Sequence, residues 1–393
     1  MKIAFIVQRY GLEVVGGAEL HCRWIAEHLA EHHEVEVLST TAREYLTWEN
    51  DYPGGTTWVN GVSVRRFPVE RQRQPGRYEE IANKVCYSRH TDEEEIQWMH
   101  EHGPYCPDLI AYLTAHHPDY NALIFFCYRY WTSYYGLRIA PEKSILVPTA
   151  EHDKAIYLRI FQSMFNAPAA IAYNSIEERD LIQRIAHNEH VPGEVVGVGI
   201  NRPADIPTSD LAAKLDLLGD FALYIGRIEP EKGVAVMIDH FLRYQRETSS
   251  PLRLAMIGKS TMEIEENVHI SLLGVTAEAE KLAALSRAQV LLMPSRHESL
   301  SMVLLEAWMM KRPVLVNGSC EVLRGQVLRA NGGLYYRSFE EFAAGLELLT
   351  NDSKLARRLG QQGHNYFIHN YSWDIIMQKY DRLIGIAVTP SAS

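Results

Sequence analysis

Two carboxylates, Glu298 and Glu306, stand with seven residues between them in RHESLSMVLLEA, Arg296–Ala307, and two cations, Arg227 and Lys232, stand in GRIEPEKG, Gly226–Gly233. A carboxylate can accept hydrogen bonds from vicinal hydroxyls, as the acidic residue of dinucleotide folds does with ribose. Two such groups suggest two polyols, a sugar and a ribose. Arg and Lys beside a helix N-terminus suit a diphosphate: the guanidinium is a planar fork, the ammonium a point charge, and the helix end adds free N–H groups. Each motif alone is ordinary, since Glu near a helix start interacts well with the helix dipole and loop cations serve solubility. Together they describe one ligand: sugar, diphosphate, ribose.

These side chains need strands and helices behind them. The apolar run Phe221–Ile225 predicts a buried strand before GRIEPEKG, with a helix from about Val234 to Arg246 after it. Val290–Met293 predicts a second strand, and Ser301 can cap a helix starting at Met302. Glu298 then sits in the loop past the carboxyl end of a parallel strand and Glu306 about one turn into the next helix. Both are expected to face the crevice where open α/β sheets bind ligands. Leu252–Ile257, Val268–Leu273, Pro313–Val316 and Gly333–Tyr336 complete the strands of this half, and Phe339–Leu349 and Ser353–His369 read as helices.

The first half opens the same way: strand Lys2–Val7, loop Gln8–Gly17, helix from about Ala18 to Glu31, strand Val35–Ser39. Gly16 and Gly17 close that loop and allow an anion to approach the backbone at a helix N-terminus. There is no GxGxxG, which weakens a nicotinamide reading. Further strands are expected at Asn60–Phe67, Ala122–Cys127, Ser144–Pro148 and Ala169–Asn174, with His152 and Asp153 just past the third of these and Asn174 and Ser175 capping a helix through Ile185. His28, His32 and His33 crowd a predicted helix C-terminus, where cations are favourable, and no metal site is read into them. Residues 68–120 depart from the βα rhythm and carry Arg71, Arg73, Arg77 and Trp98.

A length of 393 residues exceeds one ordinary core and predicts two domains of roughly 200 residues each. We place them at 1–202 and 216–371, with a linker at 203–215 that contains Pro203 and Pro207. A helix at 372–388, capped by Ser372, and a small polar tail at 389–393, expected to be disordered, follow. The formal charge of −10 argues against a general nucleic-acid binder. Five cysteines without a CxxC spacing suggest neither a disulfide framework nor zinc, and fit a reducing cytoplasm. The first apolar run is too short for a transmembrane helix.

Arg227 and Lys232, followed by Glu298, seven residues and Glu306, resemble the donor-binding half of the retaining family-4 glycosyltransferases, which have the GT-B fold. The GGAE of Gly16–Glu19 and His152 in TAEHD extend the resemblance over nearly the whole chain. The resemblance implies two Rossmann-like doubly wound α/β domains facing across a cleft, with the 372–388 helix crossing back to the first. It implies transfer of a hexose-type sugar from a UDP- or GDP-sugar to the hydroxyl of a saccharide, lipid-linked or small-molecule acceptor, with no nucleic-acid partner. Donor contacts are expected from Gly16, Gly17, Arg227, Lys232, Leu273, Gly274, Glu298, Ser299, Leu300, Ser301 and Glu306. Within that set the Leu273–Gly274 backbone lies against the base, and His152 reaches the sugar. His152, Arg227, Lys232 and Glu298 would carry catalysis. Because side-chain cations neutralise the leaving group, neither cofactor nor metal is required. The basic stretch after Arg65 and Arg66 reads equally as an anionic-acceptor or membrane-surface contact and as solvated loop charge. A GT-B sugar phosphorylase, a nucleotide-sugar epimerase and a non-catalytic sugar-nucleotide binder would use the same binding residues, so these readings stay open.

Overall fold

The apolar runs become parallel strands buried on both faces, which is why they lack polar alternation. In the computed structural model, which describes residues 1–14, 16–201 and 219–389, the chain forms two compact units. One runs Met1–Val198 and takes in the C-terminal helix from Ile376; the other is Gly199–Ile375. That helix, Trp373–Val388, buries Ile376, Tyr380, Leu383 and Ile384, and its Lys379 donates to the Val195 carbonyl at 2.9 Å. The expected linker at 203–215, the start of the second expected domain at 216 and tail residues 390–393 lie outside the described residues. No described helix is long and apolar enough to cross a membrane.

The first unit contains β1 (Lys2–Ile6), β2 (Glu34–Thr40), β3 (Gly55–Val59), β4 (Val62–Phe67), β5 (Ala122–Phe126), β6 (Ser144–Val147), β7 (Ala170–Tyr173) and β8 (Gly193–Val195). Their spatial order is β3-β4-β2-β1-β5-β6-β7-β8, parallel except for the antiparallel pair β3 and β4. That hairpin corrects the expected single strand over 60–67. Asn60 and Gly61 hold φ of 48° and 81°, the left-handed pair of a tight hairpin turn, and β3 precedes them. Val195 ends the short strand β8. The irregular stretch becomes three helices, Pro75–Tyr87, Asp92–His102 and Pro107–His116. Thr91 starts the second by accepting from Glu94 N while Glu94 accepts from Thr91 N, a capping box written in the sequence.

The second unit holds β9 (Phe221–Ile225), β10 (Arg253–Ile257), β11 (Ile270–Gly274), β12 (Val290–Met293), β13 (Val314–Asn317) and β14 (Gly333–Tyr336). All pair in parallel, in the order β11-β10-β9-β12-β13-β14. β11 begins later than the apolar pattern suggests because Val268 is 83% exposed and the side chain of Asn267 caps His269 N. Helices Val234–Thr248 and Phe339–Asn351 bury Met237, Phe241, Phe342 and Leu346 against the sheet. Both sheets reverse their strand order once, between β1 and β5 and between β9 and β12, and ligands of such sheets bind outside the carboxyl ends of those strands.

Candidate functional site

In the second unit the loops leaving β9 and β12 meet at the reversal. Gly226 N donates to the Ile257 carbonyl at 2.9 Å and Ile228 N to the Lys259 carbonyl at 2.9 Å, so the loop is laid across the end of β10. A short 3₁₀ turn, Pro230–Lys232, follows, and Gly233 then adopts φ 74° to enter the helix Val234–Thr248. A Cβ on Gly233 would lie 2.5 Å from the Pro294 carbonyl oxygen, so this glycine is what lets the cation loop press against the end of β12. The result is a contact between the two motifs: Lys232 Nζ lies 3.0 Å from Glu298 Oε1, with both side chains largely buried. Arg227 Nη2 lies 3.0 Å from Glu229 Oε1, a partner that sequence spacing did not single out. Tyr224 Oη donates to the Arg227 carbonyl at 2.7 Å. Burial, and then the charges of Glu298 and Glu229, raise the Tyr224 phenol, against the Arg227 charge.

Ser301 Oγ accepts from Leu304 N and starts the helix Met302–Met309, with Glu306 one turn in as expected. Glu306 does not lie open to the crevice. It is 2% exposed, and Lys281 from the helix Glu278–Arg287 donates to its Oε1 at 2.9 Å. Glu306 Oε2 is buried with no hydrogen-bond partner among the described residues. Burial pushes the Glu306 carboxyl up, and Lys281 pulls it back. For Lys281 burial pulls down, but Glu306 and Glu278 outweigh it and hold the ammonium charged. Ser299 and Leu300 are half-buried between Glu298 and the cap. Leu273 and Gly274 end β11, the edge strand two positions from β9, and the Gly274 carbonyl accepts from Gly258 N at 2.8 Å.

In the first unit the loop after β1 places Gln8 and Arg9 beside Glu19. Arg9 Nε donates to Glu19 Oε1 at 3.0 Å and Gln8 Nε2 to the same oxygen at 2.8 Å, all three side chains buried. This changes the reading of Gly16 and Gly17. A Cβ on Gly16 would lie 2.1 Å from Glu19 Oε2, so the glycine makes room for an internal carboxylate, which already takes the positive end of the helix Gly17–Leu29. Gly17 is the exposed first residue of that helix.

His152 lies past β6 as expected, is exposed, and has Nε2 2.6 Å from Tyr157 Oη. Its neighbour Asp153 pairs with Arg129 at 2.9 Å, a residue of the loop after β5 that no motif marked. The His152 loop is tied down by Glu178, whose buried carboxyl accepts from both Ala150 N and Asn174 N, while Ser175 Oγ accepts from Glu178 N at 3.1 Å. Burial pushes Glu178 up to about 8, against its two backbone donors. A carboxyl raised from 4.5 binds its proton more tightly in the folded chain. Its contribution to stability is therefore full below pH 4.5 and is lost as pH rises towards 8. Glu178→Gln should flatten this slope: unfolding free energies from urea titrations at pH 5 and pH 8 should differ less in the variant, by on the order of a few kcal/mol. Parallel slopes in the two proteins would show that Glu178 does not titrate in this window.

Among the described residues no three His, Cys, Asp or Glu side chains are gathered to hold a metal ion. Residues 213–366 match the family model of the glycosyl transferases group 1. Two uncharacterized glycosyltransferases of Methanocaldococcus jannaschii are similar. MJ1178 is 28% identical over 166 residues, 39% of this chain and 45% of that protein, so the match spans less than half of that relative. MJ1607 is 22% identical along 99% of both chains. Among solved structures, sucrose-phosphate synthase from Thermosynechococcus elongatus superposes with a TM-score of 0.71 at 16% identity, over 97% of this chain and 98% of that one. Anabaena HepE in complex with UDP and glucose superposes at 0.68 and 16%, over 98% and 99%. The chain has the GT-B fold, and its residues 213–366 are similar to the glycosyl transferases group 1.

Proposed function

We propose that this chain is a glycosyltransferase that moves a hexose from a nucleoside diphosphate, UDP or GDP, to an acceptor hydroxyl with retention of anomeric configuration. The observation that carries the reading is the Lys232–Glu298 contact where the loops after β9 and β12 meet. A cation suited to the leaving diphosphate and a carboxylate suited to sugar hydroxyls stand side by side outside the strand ends where sheets of this kind bind ligands. Arg227 and Lys232 stabilise the charge that develops on the departing phosphate. Glu298 orients the sugar, and the unpartnered Glu306 Oε2 accepts from a ribose hydroxyl. HepE, of the same fold, holds UDP and glucose. His152 is assigned to the sugar by the family resemblance alone.

Retention by double displacement needs a free carboxylate nucleophile at the anomeric carbon. Glu298 is engaged by Lys232 and Asp153 by Arg129, which favours same-face attack with the departing phosphate taking the acceptor proton. Because side chains neutralise that phosphate, turnover is expected to survive a chelator. The test is proton NMR of the first product formed from α-linked UDP- and GDP-sugars with a panel of acceptors. An α-linked product with release of the nucleoside diphosphate is expected. A β-linked first product overturns retention, and release that is indifferent to acceptor, or absent, points to the epimerase or non-catalytic reading.

A further inference from the structure

The first unit gathers three nitrogen-rich side chains that the donor chemistry leaves unused. His102, at the end of the helix Asp92–His102, is 5% exposed and sandwiched between Trp98, at 4.8 Å and 15°, and Tyr130, at 5.2 Å and 19°. Its carbonyl accepts from Trp48 Nε1 at 2.8 Å and from Arg73 Nε at 3.0 Å, and its Nδ1 lies 3.5 Å from Arg73 Nη2. A guanidinium only donates, so Nδ1 accepts and the ring proton sits on Nε2. That Nε2 is buried and has no hydrogen-bond partner among the described residues. Arg129 Nε is a second buried donor in the same condition, although Arg129 Nη1 reaches Asp153. The Arg129 and Arg73 charges are both close enough to His102 to disfavour its protonation, after burial itself, so the ring is neutral and its N–H remains a donor.

The charge balance of this cluster is positive. Arg129 is offset by Asp153 at 2.9 Å. Arg73 donates to the carbonyls of His102 and Tyr45 and to His102 Nδ1, and packs over Trp48 and Tyr78 at 5.0 and 4.6 Å. The carboxylate of Glu44, which acts on Arg73 at longer range, is committed to Thr47 N and Thr47 Oγ1. Buried donors without acceptors are disfavoured, and here two of them accompany a guanidinium with no carboxylate at ion-pair distance among the described residues. One oxyanion with several acceptor oxygens would answer both open donors and offset the charge of Arg73.

We propose that Arg73, His102 and Arg129 form an oxyanion subsite that takes the phosphate group of the acceptor, so the acceptor is a phosphate-bearing molecule. Calling the ligand an acceptor rests on the glycosyl-transfer reading; the anion site does not. Arg129 joins the subsite to the His152 loop through Asp153, which places a bound phosphate within one small molecule's length of the segment assigned to the sugar. A sugar phosphate in solution and a phosphate-bearing lipid head group share this chemistry.

The test uses the Arg227→Ala/Lys232→Ala double variant of the full chain, so that phosphate cannot report on the donor cations. Inorganic phosphate titrated into it should broaden its ³¹P resonance. Adding Arg73→Gln or Arg129→Gln should weaken that binding by about tenfold each, the worth of one charge-assisted bond. Arg77→Gln, an exposed arginine paired with Glu101, should leave it unchanged. His102→Gln, which keeps a donor, should bind more tightly than His102→Leu, so a loss from misfolding is told apart from a loss of the donor. Displacement by glucose 6-phosphate but not glucose supports the subsite with a soluble source. Displacement only by vesicles containing phosphatidic acid supports it with a lipid source. No broadening, or broadening equal in the arginine variants, overturns the proposal and leaves water or an adventitious ion only. Failure of transfer in the wild-type enzyme with phosphate binding intact would instead count against the glycosyl-transfer reading.

Discussion

Lys232→Ala should weaken binding of the nucleoside diphosphate by about 10- to 150-fold while leaving the nucleoside nearly untouched, and should lower turnover by roughly 10²–10³. The structure gives two reasons for a large effect. Lys232 Nζ stands where the β9 and β12 loops converge, and its removal exposes a bound diphosphate to Glu298, a carboxylate 3.0 Å away and only 12% exposed. Loss of a favourable charge is thus compounded by an uncovered like charge. Arg227→Ala removes a more exposed cation, paired with Glu229, and should show the same selectivity for the diphosphate with a smaller loss. The double variant Lys232→Ala/Glu298→Gln should recover part of the affinity for the diphosphate, though not for turnover with the sugar nucleotide, because Glu298 is assigned to the sugar. Calorimetry with nucleoside, nucleoside diphosphate and sugar nucleotide checks the whole series. Equal losses for nucleoside and diphosphate would remove both cations from the phosphate site.

Much of this arrangement was legible in the chain because it is local. Phe221–Ile225 and Val290–Met293 are strands over the whole of their apolar runs, Ser301 caps the helix it was expected to cap, and the loops that follow these strands hold the motif residues. What escaped is non-local. Arg129 reaches Asp153 because the loops after β5 and β6 lie side by side, Lys281 reaches Glu306 from one helix to the next, and Arg9 reaches Glu19 back across the loop after β1. No spacing rule within one segment marks such partners. Two omissions were of another kind, since Asn60-Gly61 between alternating residues is a strong hairpin signal and Thr91 with Glu94 a capping box. The glycines show the limit from the opposite side. Gly16 reads as room for a ligand and Gly233 as no more than the end of its motif, yet the first is filled by Glu19 and the second permits the contact between the Lys232 and Glu298 loops. A missing side chain does not say whether ligand, carboxylate or backbone will use the space.

The Lys281–Glu306 pair should dominate the stability of the second unit. Lys281→Met removes the only cation within ion-pair distance of Glu306 among the described residues and leaves a buried carboxylate with both oxygens unsatisfied. Removing one partner of a buried pair costs about 3–5 kcal/mol, which corresponds to a drop of roughly 6–20 °C in thermal midpoint for a domain of this size. The sign with pH follows from the proton. Without Lys281 the folded-state Glu306 is raised further above 4.5, so it is neutral, and nearly harmless, below that value. The deficit relative to wild type should therefore be small near pH 4.5 and grow as pH rises through the folded value. Lys281→Met/Glu306→Gln should regain most of the lost stability at neutral pH because no buried charge is left. It should not regain nucleotide affinity, since the carboxylate assigned to ribose is gone, and Glu306→Gln alone should weaken nucleotides whether or not a sugar is attached. Differential scanning calorimetry at pH 4.5 and pH 8, with nucleotide titrations of the same three variants, separates these effects. A midpoint that falls equally at both pH values would mean that Lys281 matters for packing, and an unaltered nucleotide affinity in Glu306→Gln would take Glu306 out of the ribose site.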